Sequence, residues 1–71
     1  MDEFKFKKGD LVQWFETFGD VYITKDQGTG VIVDITKLEY FPEPYYSYRV
    51  FRIEKNDYMI FEDHNLKKFK E

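Results

Sequence analysis

Short runs of valine, isoleucine, phenylalanine and tyrosine recur along this chain, and turn-forming residues separate them. Within the runs, apolar and polar residues alternate with the period of a β-strand that has one buried face. The pattern predicts strands at residues 11–15, 30–36, 46–54, 58–62 and 66–69, with a single helical turn at 63–65. No segment keeps a helical period for more than about one turn. Because closure removes the unpaired edges of a short sheet, we predict one small all-β barrel.

The alternation also predicts which side chains face the core. In the second strand we expect Val31, Val33 and Ile35 to point inward. Ile32 and Asp34 should then point outward. The third strand alternates less cleanly, which predicts either a bulge or a strand with a role on both faces.

Size and composition limit the chain to one domain, residues 1–71. A domain this short buries only about 60% of its unfolded surface, so we expect marginal stability and no large catalytic cavity. Aromatic residues make up 21% of the sequence, which supplies much buried area from few side chains. This is more than a small core needs, and exposed aromatic clusters mark interfaces. We therefore expect some aromatic side chains to form a binding surface.

Cysteine is absent, which excludes a disulfide framework and a thiolate zinc site and fits a reducing compartment. The amino-terminal residues contain no apolar segment typical of a secretory signal. No apolar run approaches the roughly 20 residues that a membrane helix needs. We predict a cytoplasmic protein.

The sequence offers little for catalysis. Ser47 is the only serine and His64 the only histidine, and they fall on different predicted elements. Three adjacent residues, 62–64, are potential metal ligands, but neighbours at a strand end point in different directions. The segment Gly28-Thr29-Gly30 lacks the length and lysine of a phosphate-binding loop and is expected to be a strand entry, where glycine permits unusual backbone angles. We predict a protein without enzymatic activity, cofactor or metal.

Several short motifs together resemble those of the SH3-like small β-barrels, which include Tudor and KOW modules. The motifs are Phe6-Lys7-Lys8-Gly9-Asp10-Leu11-Val12, Gly30-Val31-Ile32-Val33, Tyr48-Arg49-Val50 and Phe61-Glu62-Asp63-His64-Asn65-Leu66-Lys67-Lys68. The resemblance spans nearly the whole chain and implies a five-stranded SH3-like barrel with a short helical turn before the last strand. The tryptophan pair of SH3 domains that bind proline-rich peptides and the basic context of KOW elements are missing, so neither ligand is implied. Small acidic barrels that open in this way are also similar to accessory proteins of large tailed bacteriophages.

In such barrels two loops flank one groove, and here they would span residues 15–28 and 38–46. The resemblance implies that aromatic side chains from both loops converge on a partner-binding face. The candidates are Trp14, Phe18, Tyr22, Tyr40, Phe41, Tyr45 and Tyr46. Acidic residues would form the rim of this face and favour a protein partner with a basic or cationic segment: Glu16, Asp20, Asp26, Glu39 and Glu43. The alternative is that these aromatics only plug the open ends of the barrel.

A second hypothesis concerns lysines. In this topology the first and last strands are neighbours, which would gather Lys5, Lys7, Lys8, Lys67, Lys68 and Lys70. Such a patch could contact the phosphates of a nucleic acid, although the net charge of −3 argues against a general nucleic-acid binder. The lysines could equally protect a sheet edge from aggregation. A structural role in a particle or homo-oligomer is the third possibility.

Overall fold

The computed structural model describes residues 5–17 and 24–69. Its elements are β1 (Leu11–Thr17), β2 (Thr24–Leu38), β3 (Tyr45–Arg52), β4 (Asp57–Glu62), a 3₁₀ turn (Asp63–Asn65) and β5 (Leu66–Lys68). The strands form one antiparallel sheet in the order β4-β3-β2-β1-β5. This confirms the predicted small all-β domain with five strands and a short helical turn before the last. The described part of the chain contains no helix with the length and apolar character that a bilayer crossing requires.

The long strand β2 organises the sheet. Its first half pairs with β1, from Thr24 opposite Thr17 to Val31 opposite Leu11. Its second half pairs with β3, as far as Leu38 opposite Tyr45. The sequence predicted only residues 30–36 of this strand. The polar stretch before them carries no apolar alternation, yet its backbone pairs with β1 throughout.

The core lies on one face of the curled sheet. Its buried side chains among the described residues are Phe6, Val12, Trp14, Ile32, Tyr48, Val50, Phe61 and Leu66. Trp14 of β1 stacks on Phe61 of β4, with ring centroids 5.9 Å apart. Because β1 and β4 are not neighbours in the sheet, this contact shows that the sheet curls across its core.

The predicted inward face of β2 is wrong in part. Ile32 is buried at 1% exposure, whereas Val33 is 37% exposed. The register with β3 shifts between Ile32 and Asp34, so the strand changes phase at this bulge. Ile35 therefore also packs against the core, as predicted. The irregularity expected in the third strand lies instead in its partner, β2.

Gly28 and Gly30 lie in the middle of β2, not at a strand entry, and neither has a positive φ angle. A Cβ atom on Gly28 would stand 2.6 Å from the Trp14 ring. One on Gly30 would clash with Val50 and lie 2.7 Å from the carbonyl oxygen of Phe51. The two glycines are therefore required for space: Gly28 leaves room for the Trp14 ring, and Gly30 leaves room for Val50 and the backbone of β3.

Candidate interaction surface

The loop between β2 and β3 carries the most exposed aromatic side chains of the described residues. Phe41 is 98% exposed and Tyr40 is 62% exposed. The rings of Tyr40 and Tyr45 meet edge to face, with centroids 6.1 Å apart. We call Tyr40, Phe41 and Tyr45 the loop cluster. It brings together three of the residues that the sequence predicted for a partner-binding face.

Tyr45 connects this cluster to the sheet. It begins β3, is half-buried, and its hydroxyl donates a hydrogen bond to the carboxylate of Glu62 on β4. This bond, together with burial and the negative charge of Glu62, raises the pKa of Tyr45 to about 12. The residue therefore stays neutral at physiological pH and fixes one side of the loop cluster.

Trp14, predicted on the binding face, is instead fully buried at 0% exposure. Its indole Nε1 donates a hydrogen bond to the carbonyl oxygen of Thr29, at 3.1 Å. The Arg52 guanidinium lies over its ring, 4.9 Å from the centroid. Alternation places Trp14 on the same face of β1 as Val12, and that face is the core. Trp14 is thus not accessible to a partner.

The remaining predicted aromatics divide into two groups. Tyr46 is only partly exposed because it packs against the core from β3. It therefore acts in part as the plug that the alternative interpretation expected. Phe18 and Tyr22 lie outside the described residues, as does Asp20 of the predicted rim.

Several acidic residues of the predicted rim are paired with basic side chains. Glu16 lies 3.7 Å from the Arg52 guanidinium. Asp26 contacts Lys55 at 2.8 Å, and this hydrogen bond holds the pKa of Asp26 below its usual value. Glu39 lies 3.4 Å from Lys37. These pairs reduce the negative potential of the rim.

Arg52 is the centre of a charged cluster beside Trp14. Its guanidinium donates two hydrogen bonds to Asp57, both 2.7 Å long, and its side chain is only 12% exposed. This pair lowers the pKa of Asp57. The nearby Glu54 carboxylate accepts a hydrogen bond from the Thr29 backbone N–H at 2.8 Å, which lowers the pKa of Glu54. Because these groups satisfy one another around the buried indole, their role is structural.

The outer face of the sheet carries an apolar row that the sequence pattern did not predict. Residues from four adjacent strands lie opposite one another there: Leu11, Val31, Phe51 and Tyr58. The rings of Phe51 and Tyr58 are 5.3 Å apart, and the Arg49 guanidinium lies 5.2 Å from the Tyr58 centroid. Ile60, opposite Arg49 in register, is 65% exposed. The signal was present in the blurred alternation of the third strand, which is apolar on both faces.

The lysines do not gather into a uniform patch. β1 pairs with β5, as predicted, and Lys67 and Lys68 are exposed on β5. However, Lys5 lies 3.7 Å from Asp63, and Lys8 lies 3.6 Å from Asp34. Lys7 is exposed, and Lys70 lies outside the described residues. Carboxylates thus offset part of the positive charge that the second hypothesis requires.

The surface of the described residues includes two shallow depressions of similar size. One, of about 290 Å³, lies between β4 and the end of β1, and its lining includes Phe15–Thr17, Met59–Glu62, His64 and Asn65. The other, of about 220 Å³, is lined by Gln13, Lys67, Lys68 and Phe69. No group of three histidine, aspartate or glutamate side chains within residues 5–17 and 24–69 is arranged to hold a metal ion.

Comparison of the chain with protein-family models, with curated proteins and with solved structures finds no match.

Proposed function

We propose that this protein is a non-enzymatic interaction module that binds a protein partner through its loop cluster. The observation that carries the proposal is the 98% exposure of Phe41 beside Tyr40 and Tyr45. Burying one such side chain contributes about 1.5–3 kcal/mol. An aromatic ring held in water has no stabilising role in the fold, whereas aromatic anchors dominate protein interfaces.

Strand order supports the further proposal of an SH3-like barrel. The last strand lies beside the first, and the 3₁₀ turn precedes it. By the resemblance noted above, we assign the module to a bacteriophage accessory protein that acts on a host or viral protein. The cytoplasm is the proposed compartment, because the chain has no cysteine.

The chemistry of the loop indicates the kind of partner. Glu39 and Glu43 flank the exposed aromatics, and Glu62 lies beneath Tyr45. Lys37 lies 3.4 Å from Glu39, and a basic segment adds contacts to these carboxylates while its cationic side chains pack over tyrosine rings.

Affinity capture from cell lysate tests the proposal, with and without nuclease. A Tyr40→Ala/Phe41→Ala double variant removes the exposed rings without touching the core. Ile53→Ala is the matched control, because Ile53 is an exposed apolar residue outside the cluster. We expect a protein that is retained after nuclease treatment, lost from the double variant and kept by the control. Equal capture by the double variant rejects the loop cluster as the site.

One observation favours nucleic acid as a second candidate. Phe69 is 47% exposed and lines a depression with Lys67 and Lys68, so a base could stack where phosphates are neutralised. This hypothesis predicts that binding of labelled single-stranded DNA weakens steeply with salt. A Lys67→Glu/Lys68→Glu variant should abolish it, while the loop double variant should bind normally.

A further inference from the structure

The strand β4 ends the sheet on one side and lacks the usual protection of such an edge. Its central residues, 58–61, are all apolar and contain no proline, lysine or bulge. Among the described residues it pairs with β3 alone. Natural edge strands avoid this combination because their unpaired N–H and C=O groups recruit other strands.

The outward side chains of β4 are also unusually exposed. Tyr58 and Ile60 are 58% and 65% exposed, and Tyr58 continues the apolar row through Phe51. An added strand would extend this row by one more position. The fold therefore offers both backbone groups and an apolar surface to an incoming segment.

The larger depression lies along this same edge. Four consecutive residues, Met59–Glu62, line it. Because successive side chains of a strand point to opposite faces, a depression that touches all four lies along the strand edge. The opposite wall is the end of β1, beyond the three residues that pair with β5. The side-chain amide of Asn65 donates a hydrogen bond to the Phe15 carbonyl oxygen at 3.0 Å and closes one end.

The charges of the depression select the occupant. Glu16 and Glu62 line it, and no lysine or arginine does so among the described residues. Arg52 lies 3.7 Å from Glu16, and His64, also in the lining, lies 3.3 Å from Glu62, so each carboxylate keeps oxygen atoms for a further cationic partner. The acidic residues Asp57 and Glu62 also bound the apolar centre of β4. A second copy fits poorly, because a symmetric antiparallel pair centred on the strand places Asp57 opposite Glu62 at both ends.

We propose that β4 binds an extended segment of a partner protein, apolar at alternate positions and ending in lysine or arginine. The segment adds as a further strand beside β4, and its basic end lies against Glu62 and Glu16. This site shares Glu62 with the surroundings of the loop cluster but uses the edge of β4 in place of Tyr40 and Phe41, so a failure at either set of residues leaves the other proposal standing.

A labelled peptide, Lys-Val-Thr-Val-Thr-Val-Lys, tests this site. Amide hydrogen exchange followed by NMR should show protection of the β4 amides that do not bond to β3. Two matched peptides separate the contributions: one carries proline at the central valine and lacks that N–H, and the other carries glutamate in place of both lysines. Both should bind at least about tenfold more weakly, a change equivalent to one good contact.

Protein variants complete the test. Ile60→Lys should weaken binding of the peptide by about tenfold. Glu62→Gln should weaken it by a few-fold, since this change removes the charge but keeps a hydrogen-bond acceptor. Ile53→Lys and the loop double variant should bind like the parent. Three results would each overturn the proposal: no protection of β4 at millimolar peptide, shifts confined to the loop cluster, or a mass that doubles with concentration as a second copy occupies the edge.

Discussion

Trp14 and Phe41 illustrate how differently two large aromatic residues can behave in one small sheet. Trp14 is fully buried, while Phe41 is almost fully exposed. Around Trp14, two glycines, the Arg52 guanidinium and the Phe61 ring match the indole on every side. No such surroundings exist for Phe41, which lies in a loop and is followed by Pro42 and Pro44. Burial thus depends on what faces the ring and not on its hydrophobicity.

The largest expected contrast is in stability. Trp14→Ala should cost about 3–5 kcal/mol, because a large cavity opens in the core. That is a large fraction of the total for a domain whose stability is of the order of 5–15 kcal/mol. Phe41→Ala should change stability by less than about 0.5 kcal/mol. Urea denaturation followed by far-ultraviolet circular dichroism measures both, and similar losses in the two variants would break the comparison.

A second prediction concerns the space above the indole. Gly30→Ala should destabilise the protein by about 1–3 kcal/mol, because the new methyl group meets Val50 and the Phe51 backbone. Thermal unfolding gives the measurement. Thr24→Ala, at an exposed position of the same strand, is the control and should be nearly neutral. A neutral Gly30→Ala variant would show that Val50 and the Phe51 backbone have room to move.

The charged cluster beside Trp14 predicts that the stability of the protein falls at acidic pH. Arg52 holds the pKa of Asp57 below its ordinary value of 3.8. The stabilisation is therefore present above that value and is lost as the pH falls through the lower pKa of the folded state. Asp57→Asn should flatten the loss of stability measured from pH 5 downward, whereas Phe41→Ala should keep the parent profile. Identical profiles for all three proteins would contradict the role given to this pair.

The smallest expected effect is a change in stability at high pH, which comes from the titration of Tyr45 in the loop cluster. The pKa of Tyr45 is about 12 against an ordinary 10.0, so its contribution to stability is present below 10 and is lost as the pH rises through about 12. Because burial also raises the pKa of Tyr48, tyrosinate absorbance should show late titration that loses the amplitude of one tyrosine in Tyr45→Phe and keeps the rest. Glu62→Gln should move the Tyr45 part to lower pH. A late amplitude that is unchanged in Tyr45→Phe would assign all of it to other tyrosines.

Alternation was enough to predict five strands and the turn before the last one. It failed in β2 for two physical reasons. The polar first half of this strand is held by backbone pairing with β1, which leaves no apolar signature. The bulge between Ile32 and Asp34 then reverses the phase, and no residue type in the sequence marks it.

The candidate site was predicted in part. Pro42 and Pro44, which follow Phe41, correctly indicated the loop in which Tyr40 and Phe41 are exposed. Strand alternation would have placed Tyr46 inward beside Tyr48. Trp14 was misplaced because the SH3-like resemblance put it at the groove, whereas its alternation with Val12 and the space left by Gly28 and Gly30 put it in the core. Which glycine lies opposite which large side chain depends on the register between β1 and β2, and that register is set by the pairing of the whole sheet.

Because Trp14 is fully buried beneath Arg52, its intrinsic fluorescence reports whether the protein is folded. The chain has only one tryptophan, so its emission spectrum comes from a single known environment. A dry indole emits at shorter wavelength than a hydrated one, and unfolding will shift the band to the red. A partner at the loop cluster leaves this environment intact and perturbs tyrosine signals instead. Fluorescence therefore separates a ligand that binds from one that unfolds, within one sample and without any label.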